Sequence, residues 1–524
     1  MVWTARFISF AMGFLSLSQE ILWIRIAGFA YKGAPQAFGG VLGLYLIGIA
    51  GGAGLGKRYC NKTGRDLLRT VGLVLLVAGA FDLILPWLTT HAFGFGRVVG
   101  TVVLAASVIL TALLKSMVFP IAHHMGSVSQ IGKVGTSVSK VYFANVIGST
   151  LGPLLTGFLL LQILSLQSSF MLMAVVTLTI SFACLLFSRN VSTQASPGGR
   201  LQPLAPFAGA LAATCAILFF PNSMMQTMIE NTGKGEGKVK QVIENRYGII
   251  HTLATDKGGD IVFGGNLYDG RINIDYMVDS NWVSRVYFLS AFQPKAKRVL
   301  VIGMSAGSWT RVLSAFPAVE KVDVVEINPG YIELASQYPE LRPLLSDPRI
   351  SIYADDGRRW LKRHPQEKYD LIVMNTTYHW RAYATLLLSQ EFLRIARDHL
   401  TPEGILAYNS TFSWDSMKTA SSVLKNVYLF GNFVVAGDSL KMPKEAEGIA
   451  HVSALKDNDR PLINPANPRV REKLHRDFHM LQPYSEPQLE WLAGRPLEVI
   501  TDQNMLSEYR RGKSVVEYLG SHGS

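Results

Sequence analysis

Cysteine is scarce: three in 524 residues, Cys60, Cys184 and Cys215, each within or beside an apolar run. No Cys-x-x-Cys pair occurs, so neither a disulfide framework nor a zinc site is indicated, and no metal is expected. Cysteines of this kind act as small apolar packing residues. Charge is scarce as well. Asp, Glu, Lys and Arg make up 17% of the chain, and the acids are outnumbered 38 to 50. The resulting net charge of +12 raises the question of nucleic acid. No Arg/Lys stripe interleaved with aromatics is present, so no nucleic-acid partner is expected. The first apolar segment lacks a small-residue cleavage site leading to a polar start, so no cleavable signal peptide is read there.

Apolar residues are abundant, 49% of the chain, and unevenly spread. Before about Phe220 the chain is mostly long apolar runs, and after about Asn231 it reads as an ordinary α/β domain. A spanning helix needs roughly 20 apolar residues. Seven candidates meet that need: Phe7–Ala30, Ala37–Gly56, Val71–Leu88, Val98–Ile121, Tyr142–Leu164, Ser168–Phe187 and the short Leu204–Phe220. Glycines crowd the second, and Gly39/Gly43 and Gly148/Gly152 have the spacing that lets helix backbones approach in lipid. Four charged residues fall within the spans. Arg25 and Lys115 are expected to snorkel from segment ends, Asp82 lies mid-run, and Glu20 is the candidate for an interior role. The basic residues Lys57, Arg58, Lys62, Arg65 and Arg69, then Lys133 and Lys140, then Arg189 and Arg200, mark alternate loops as cytoplasmic.

The later half alternates strands and helices. The Gly- and Lys-rich stretch Asn231–Lys240 reads as a linker. Strand-like content follows at Val242–Ala254 and Asp260–Phe263, with Tyr268-Asp269-Gly270 as a turn. The core strands are Val299–Gly303, Lys321–Asn328, Ile350–Asp355, Tyr369–Met374 and Gly404–Tyr408, with helices at Trp309–Ala315 and Ser389–His399. This alternation predicts a parallel, doubly wound sheet. Such sheets bind ligands at the carboxyl ends of their strands. Gly303-Met304-Ser305-Ala306-Gly307 closes the first strand and offers bare backbone and a helix N-terminus. Glu326 ends the second at the spacing where an acid receives ribose hydroxyls. Asp355-Asp356-Gly357 ends the third, where a carboxylate can accept from an adenine amino group. Together they predict a nucleoside pocket. The domain reading is a membrane domain 1–222, a linker 223–243, a small β-rich part 244–296, a Rossmann-like core 297–437 and an extension 438–524.

The run Arg298–Ser410 resembles the spermidine synthase (polyamine aminopropyltransferase) family. The resemblance rests on Gly303–Ser308, Val325-Glu326-Ile327-Asn328, Asp347-Pro348-Arg349, Asp355-Asp356-Gly357-Arg358 and Leu400-Thr401-Pro402-Glu403-Gly404-Ile405-Leu406. Tyr247–Pro294 is similar to the family's β-rich N-terminal part. The membrane half resembles segments fused to such domains in bacteria, and Thr501-Asp502-Gln503 resembles their tail. The resemblance implies a Rossmann-like transferase that takes decarboxylated S-adenosylmethionine, or the intact compound, as co-substrate. By it Glu326 would hold ribose, Asp356 the adenine, and the Gly303 turn the methionine-derived tail.

Departures from the family pattern fall at four places. Ala306 stands for an Asp that greets the aminopropyl ammonium. Asn375-Thr376-Thr377-Tyr378 stands for Asp-Ser-Ser-Asp, Asn281-Trp282-Val283 for Tyr-His-Glu, and Asn273 for a Gln. Asn accepts no proton at neutral pH, and Tyr does not pair a polyamine as carboxylate does. Ordinary spermidine synthesis is therefore disfavoured. Loss of the Asp at 306 admits intact S-adenosylmethionine, with Ser305 and Ser308 placed to hold its carboxylate. His379 is a candidate base, Arg381 a partner for an acidic or phosphate-bearing acceptor, and Trp282 and Trp380 aromatic walls. The leading expectation is alkyl transfer (aminopropyl, aminocarboxypropyl or methyl) to an altered small-molecule or membrane-bound acceptor. The second is true polyamine aminopropyl transfer, with carboxylates supplied from elsewhere, such as Asp279. The third is a nucleoside-binding sensor or transporter without catalysis. The chain is expected in the cell membrane, in contact with the bilayer. Its C-terminal half is expected in the cytoplasm, although seven crossings and the charge bias together would put it outside. A homodimer is compatible with all of these.

Overall fold

The computed structural model of the chain describes residues 2–60, 62, 64–127, 134–189, 221–233, 237–457 and 460–508. The candidate span Leu204–Phe220, with Cys215, Lys133 and Arg200, lies outside the described residues. The chain divides into two units, one comprising 1–31, 36–235 and 244–246, the other 32–35, 236–243 and 247–524.

The first unit is helical. Its long helices are α1 (Val2–Ala30), α2 (Pro35–Lys57), α3 (Gly64–Ala92), α4 (Arg97–Ser127), α5 (Val134–Leu155) and α6 (Leu166–Arg189). Among the described residues, six helical stretches are long and apolar enough to cross a membrane. Glycine spacing sets two of the contacts. A Cβ on Gly148 of α5 would collide with the Phe10 carbonyl oxygen of α1, and one on Gly152 with that of Phe14. On α2 the close approaches are at Gly48, Gly52 and Gly56, against Ile109, Leu113 and Met117 of α4. Gly39 and Gly43, expected to pack, have nothing within 4 Å of their built Cβ positions.

Lys115 does not snorkel. It is 1% exposed, and its ammonium pairs with Asp82 at 2.8 Å and donates to Gln19. Thr177 donates to the same Asp82 carboxylate at 3.2 Å. Four helices thus meet at one polar centre, because in an apolar bundle a charge is tolerated only where partners surround it. Glu20 is half-buried, and the interior acid is Asp82. Arg25 lies near the end of α1, and its guanidinium donates to the carbonyls of Asn245 and Arg246 at 2.9 and 2.7 Å.

Part of the expected linker is ordered structure. Met224–Thr232 is a helix whose Met224, Met225, Met228 and Ile229 are buried, an i, i+4 apolar face that glycine and lysine downstream obscured. Gln167 accepts the Ser223 and Met224 amides at 3.1 and 3.0 Å, and Asn231 donates to the Thr90 carbonyl at 2.9 Å.

Among the described residues the second unit has two main sheets and a two-stranded pair, Lys456–Asp457 with Arg460–Pro461. The smaller main sheet joins β1 (Lys238–Asn245), β2 (Gly248–Ala254), β3 (Ile261–Gly264) and β4 (Leu267–Arg271) in that order. Tyr268-Asp269-Gly270, expected as a turn, lies within β4. The turn is Gly265-Asn266 instead, both residues at positive φ, 60° and 64°. Two such residues between paired strands suit the twist of a tight hairpin. The larger sheet has eight strands: β5 (Arg298–Ile302), β6 (Lys321–Glu326), β7 (Ile350–Ala354), β8 (Tyr369–Met374), β9 (Leu400–Asn409), β10 (Asn426–Phe430), β11 (Phe433–Gly437) and the short Leu481–Pro483. The order is Leu481–Pro483, β10, β11, β9, β8, β5, β6, β7. β7, β6, β5, β8 and β9 are parallel, and β11, β10 and Leu481–Pro483 add to the edge antiparallel. This is a Rossmann-like α/β domain with a small antiparallel sheet before it. Order reverses at β5, the point where such sheets open a crevice at their carboxyl ends.

Candidate active site

Gly303 follows β5 at φ 89°, and a Cβ there would lie 2.7 Å from the Asn375 carbonyl oxygen. Ser305 and Gly307 also take positive φ, 51° and 73°. The turn folds back on Glu326 at the end of β6. The Met304 amide donates to Glu326 Oε2 at 2.7 Å and the Asn328 amide to Oε1 at 2.8 Å. Glu326 is 4% exposed. Burial pushes its carboxyl up to about 7, against the pull of these two amides, and Asp269 adds to the rise. At the end of β7, Asp356 caps the helix Gly357–Arg363 by accepting the Arg359 amide at 2.7 Å. Asp355 accepts the Asp356 amide at 2.7 Å and pairs with the Arg359 side chain.

The two serines expected at a donor carboxylate give their hydroxyls to β4: Ser305 to the Asp269 carbonyl and Ser308 to that of Arg271 at 2.5 Å. Ala306 is 1% exposed and packs in the apolar core. Asn273 accepts the Asp275 amide at 2.9 Å and donates to Ser280 at 3.1 Å, which shapes the loop after β4.

Beside this turn lies a cavity of about 370 Å³. Asn375 and Tyr378 after β8 line it, as does Trp282; so do Asp269, Arg271, Arg285 and Trp309, none of which the sequence singled out. Glu326, Asp355 and Asp356 do not line it, nor do Asp279, His379, Trp380 and Arg381. Asp279 ion-pairs with Lys473 at 3.0 Å and accepts the Ser284 amide at 2.9 Å. His379 Nδ1 lies 3.0 Å from the Thr411 hydroxyl oxygen. Trp380 is buried. Arg381 donates to Thr377 Oγ1 at 3.3 Å.

Asp269 is partly buried and accepts from the Tyr331 hydroxyl. Burial raises its carboxyl above the usual range, while the Tyr331 bond and the charge of Arg381 oppose that. Arg285 is 6% exposed. It donates to Asn432 Oδ1 at 2.6 Å and to the Trp282 carbonyl at 3.0 Å. Its guanidinium lies 5.3 Å from the Trp282 ring and 5.4 Å from those of Trp309 and Phe433. The signal for Arg285 was present: one arginine within the apolar run Val283–Phe292. Asp269 was hidden by its neighbour Gly270, which drew the reading toward a turn.

Residues 287–463 match the family described as "Spermine/spermidine synthase domain". The chain is 33% identical over 138 residues to the polyamine aminopropyltransferase of Clostridioides difficile, which covers 25% of this chain and 48% of that protein. It is 36% identical over 119 residues to that of Agathobacter rectalis, covering 22% and 41%. The chain thus spans less than half the length of these curated relatives. A solved spermidine synthase in complex with the transition-state analogue AdoDATO is 17% identical, with 45% of this chain and 88% of that one covered and a TM-score of 0.36.

Proposed function

We propose that this chain, whose residues 287–463 match the spermine/spermidine synthase domain, is a membrane-bound transferase with an altered acceptor. It binds S-adenosylmethionine or its decarboxylated form and transfers an alkyl group from the sulfonium. The observation that carries the reading is the pairing of two features. Glu326 stands buried at the end of β6 with one amide on each carboxylate oxygen, leaving lone pairs for ribose hydroxyls. The adjoining cavity has Asn375 and Tyr378 where a polyamine enzyme of this family has carboxylates. The bare backbone at Gly303, where a Cβ would crowd Asn375, suits close approach of the donor's tail.

In such a transfer a nucleophile attacks the carbon next to sulfur as the carbon–sulfur bond breaks, and the thioether leaves. The chain's own residues orient the two partners. An amine acceptor must be neutral to attack, and an Asn at 375 cannot take its proton. The acceptor therefore arrives deprotonated or uses a base outside the β8 end. Calorimetry of the full chain with S-adenosylmethionine, its decarboxylated form and methylthioadenosine tests the reading. Binding of the first at least as tightly as the second supports an altered enzyme. A strong preference for the decarboxylated donor, with putrescine turned over, supports true aminopropyl transfer instead, and no binding at all sinks both.

The sidedness reading is that the C-terminal unit faces the cytoplasm, where adenosyl donors are made. The Met224–Thr232 helix holds to the Thr90 end of α3, whereas Lys57, Arg58 and Lys62 precede its other end. A cytoplasmic transferase then has these basic residues outside, against the usual bias. Cysteine placed as Lys62→Cys or Glu230→Cys, with the native cysteines replaced by serine, and labelled in intact cells with an impermeant maleimide, decides it. Labelling at position 62 alone supports the cytoplasmic reading. Labelling at 230 alone removes the donor from reach and favours a non-catalytic nucleoside-binding protein.

A further inference from the structure

We infer that the cavity beside β8 is an anion-binding pocket, built on Arg285 and shaped to take a carboxylate. This deepens the transferase reading and rests on it for the cavity's place beside the donor.

The charges around the cavity point this way. Two guanidiniums, Arg271 and Arg285, line it with one carboxylate, Asp269. Asp269 is already engaged by Tyr331. Arg271 Nη1 donates to the Lys257 carbonyl at 3.0 Å and so braces the small sheet. Arg285 makes no ion pair among the described residues. Asp279, which acts on it through space, is bonded by Lys473. The partners of Arg285 are all neutral: one amide oxygen, one carbonyl and three ring faces. Burial pulls its pKa down only to about 10, so it stays charged at neutral pH.

A buried cation without a counter-ion is unfavourable, and neutral partners offset only part of that. A guanidinium carries five N–H donors in a planar fork that matches a carboxylate edge to edge. Here one N–H is held by Trp282 and another by Asn432, so the fork is fixed in direction with donors to spare. A volume of about 370 Å³ suits a small molecule. The same field repels a polyamine. The carboxylate has two sources of one chemistry: the acceptor, or the amino-acid tail of intact S-adenosylmethionine.

The full chain in detergent micelles is titrated with methylthioadenosine, S-adenosylmethionine and its decarboxylated form. With methylthioadenosine saturating, it is then titrated with glutamate, 4-aminobutyrate and putrescine. Wild type is compared with Arg285→Met and with Arg285→Lys, which keeps the charge and loses the fork. The expected result is a loss of tenfold or more for at least one carboxylate ligand in Arg285→Met, and a smaller loss in Arg285→Lys. A loss confined to S-adenosylmethionine assigns the pocket to the donor's tail, and a loss confined to glutamate or 4-aminobutyrate assigns it to the acceptor. Equal carboxylate affinities in wild type and Arg285→Met overturn the inference. So does putrescine binding at least as tightly as the carboxylates, or no carboxylate binding at all. If Arg285→Met does not fold, the ratio of carboxylate to putrescine affinity in Arg285→Lys against wild type decides. Wild type that fails to bind methylthioadenosine fails the nucleoside reading instead, and the carboxylate titrations are then run without it.

Discussion

Replacing Glu326 by glutamine tests the donor site where geometry and titration meet. Burial holds this carboxyl at about 7, against an ordinary 4.5. Ribose hydroxyls donate to the ionised form, so affinity for methylthioadenosine should follow ionisation. With a pKa of about 7, the ionised fraction goes from about a tenth at pH 6 to about nine-tenths at pH 8. Affinity should then rise by close to tenfold across that window and level off above it. Glu326→Gln should flatten the profile. It should also weaken binding at pH 8 by about ten- to a hundredfold, the worth of a hydrogen bond to a charged acceptor at about 1.5–3 kcal/mol.

Stability runs with the opposite slope. The folded carboxyl holds its proton up to about 7 and the unfolded one releases it near 4.5, so stability is lost as pH rises between those values. That loss is about 3 kcal/mol. The amide of Glu326→Gln meets two N–H donors with one acceptor oxygen. The orphaned amide costs about 1–3 kcal/mol. The variant should therefore melt below wild type at pH 5 and near it at pH 8. Calorimetric titration and thermal melts at pH 5, 6, 7 and 8 measure both. A flat wild-type binding profile, or a glutamine variant that binds like wild type, refutes the reasoning.

Three further outcomes are expected. Lys115→Met leaves Asp82 buried without its cation and should destabilise the bundle by about 3–5 kcal/mol in detergent melts, with much of it recovered by adding Asp82→Leu. Ala306→Asp places a carboxylate at a position 1% exposed; it should lower the melting temperature and raise the affinity ratio of decarboxylated to intact donor, and an unchanged ratio in folded protein shows that the position does not select. Asp502→Asn breaks the Arg358 pair and the Ser389 bond and should cost about 1–3 kcal/mol. Because Arg358 holds the Asp502 carboxyl below its ordinary 3.8, that contribution is present above about pH 4 and disappears as pH falls through the folded value, which acid melts against wild type measure.

The parallel strands were legible because each is a short apolar run ended by a turn residue. Glu326 was legible because strand length puts it at the carboxyl edge. The last antiparallel strand was not. Leu481–Pro483 is three residues long, and its place beside β10 depends on pairing across the fold. Thr501-Asp502-Gln503 was noticed only by resemblance. Its physical sense is the clasp of Asp502 on Arg358 and on Ser389, the cap of the helix Gln390–Asp398. Lys115 and Asp82 lie 33 positions apart and were read singly. Only the bundle shows that each answers the other. Arg285 was not legible because a lone arginine in an apolar stretch of a soluble domain reads as a surface interruption, and its aromatic surround comes from β11, the helix Ser308–Ser314 and the loop at Trp282.

The Lys115–Asp82 contact also constrains how the protein is made. On the membrane reading proposed above, each of α3 and α4 alone would present a bare charge to hydrocarbon during synthesis. The two helices would then partition from the translocon as one hairpin, with the ion pair already closed. Co-expressed fragments split in the turn between them should insert poorly or be degraded, whereas a split after α4 should be tolerated.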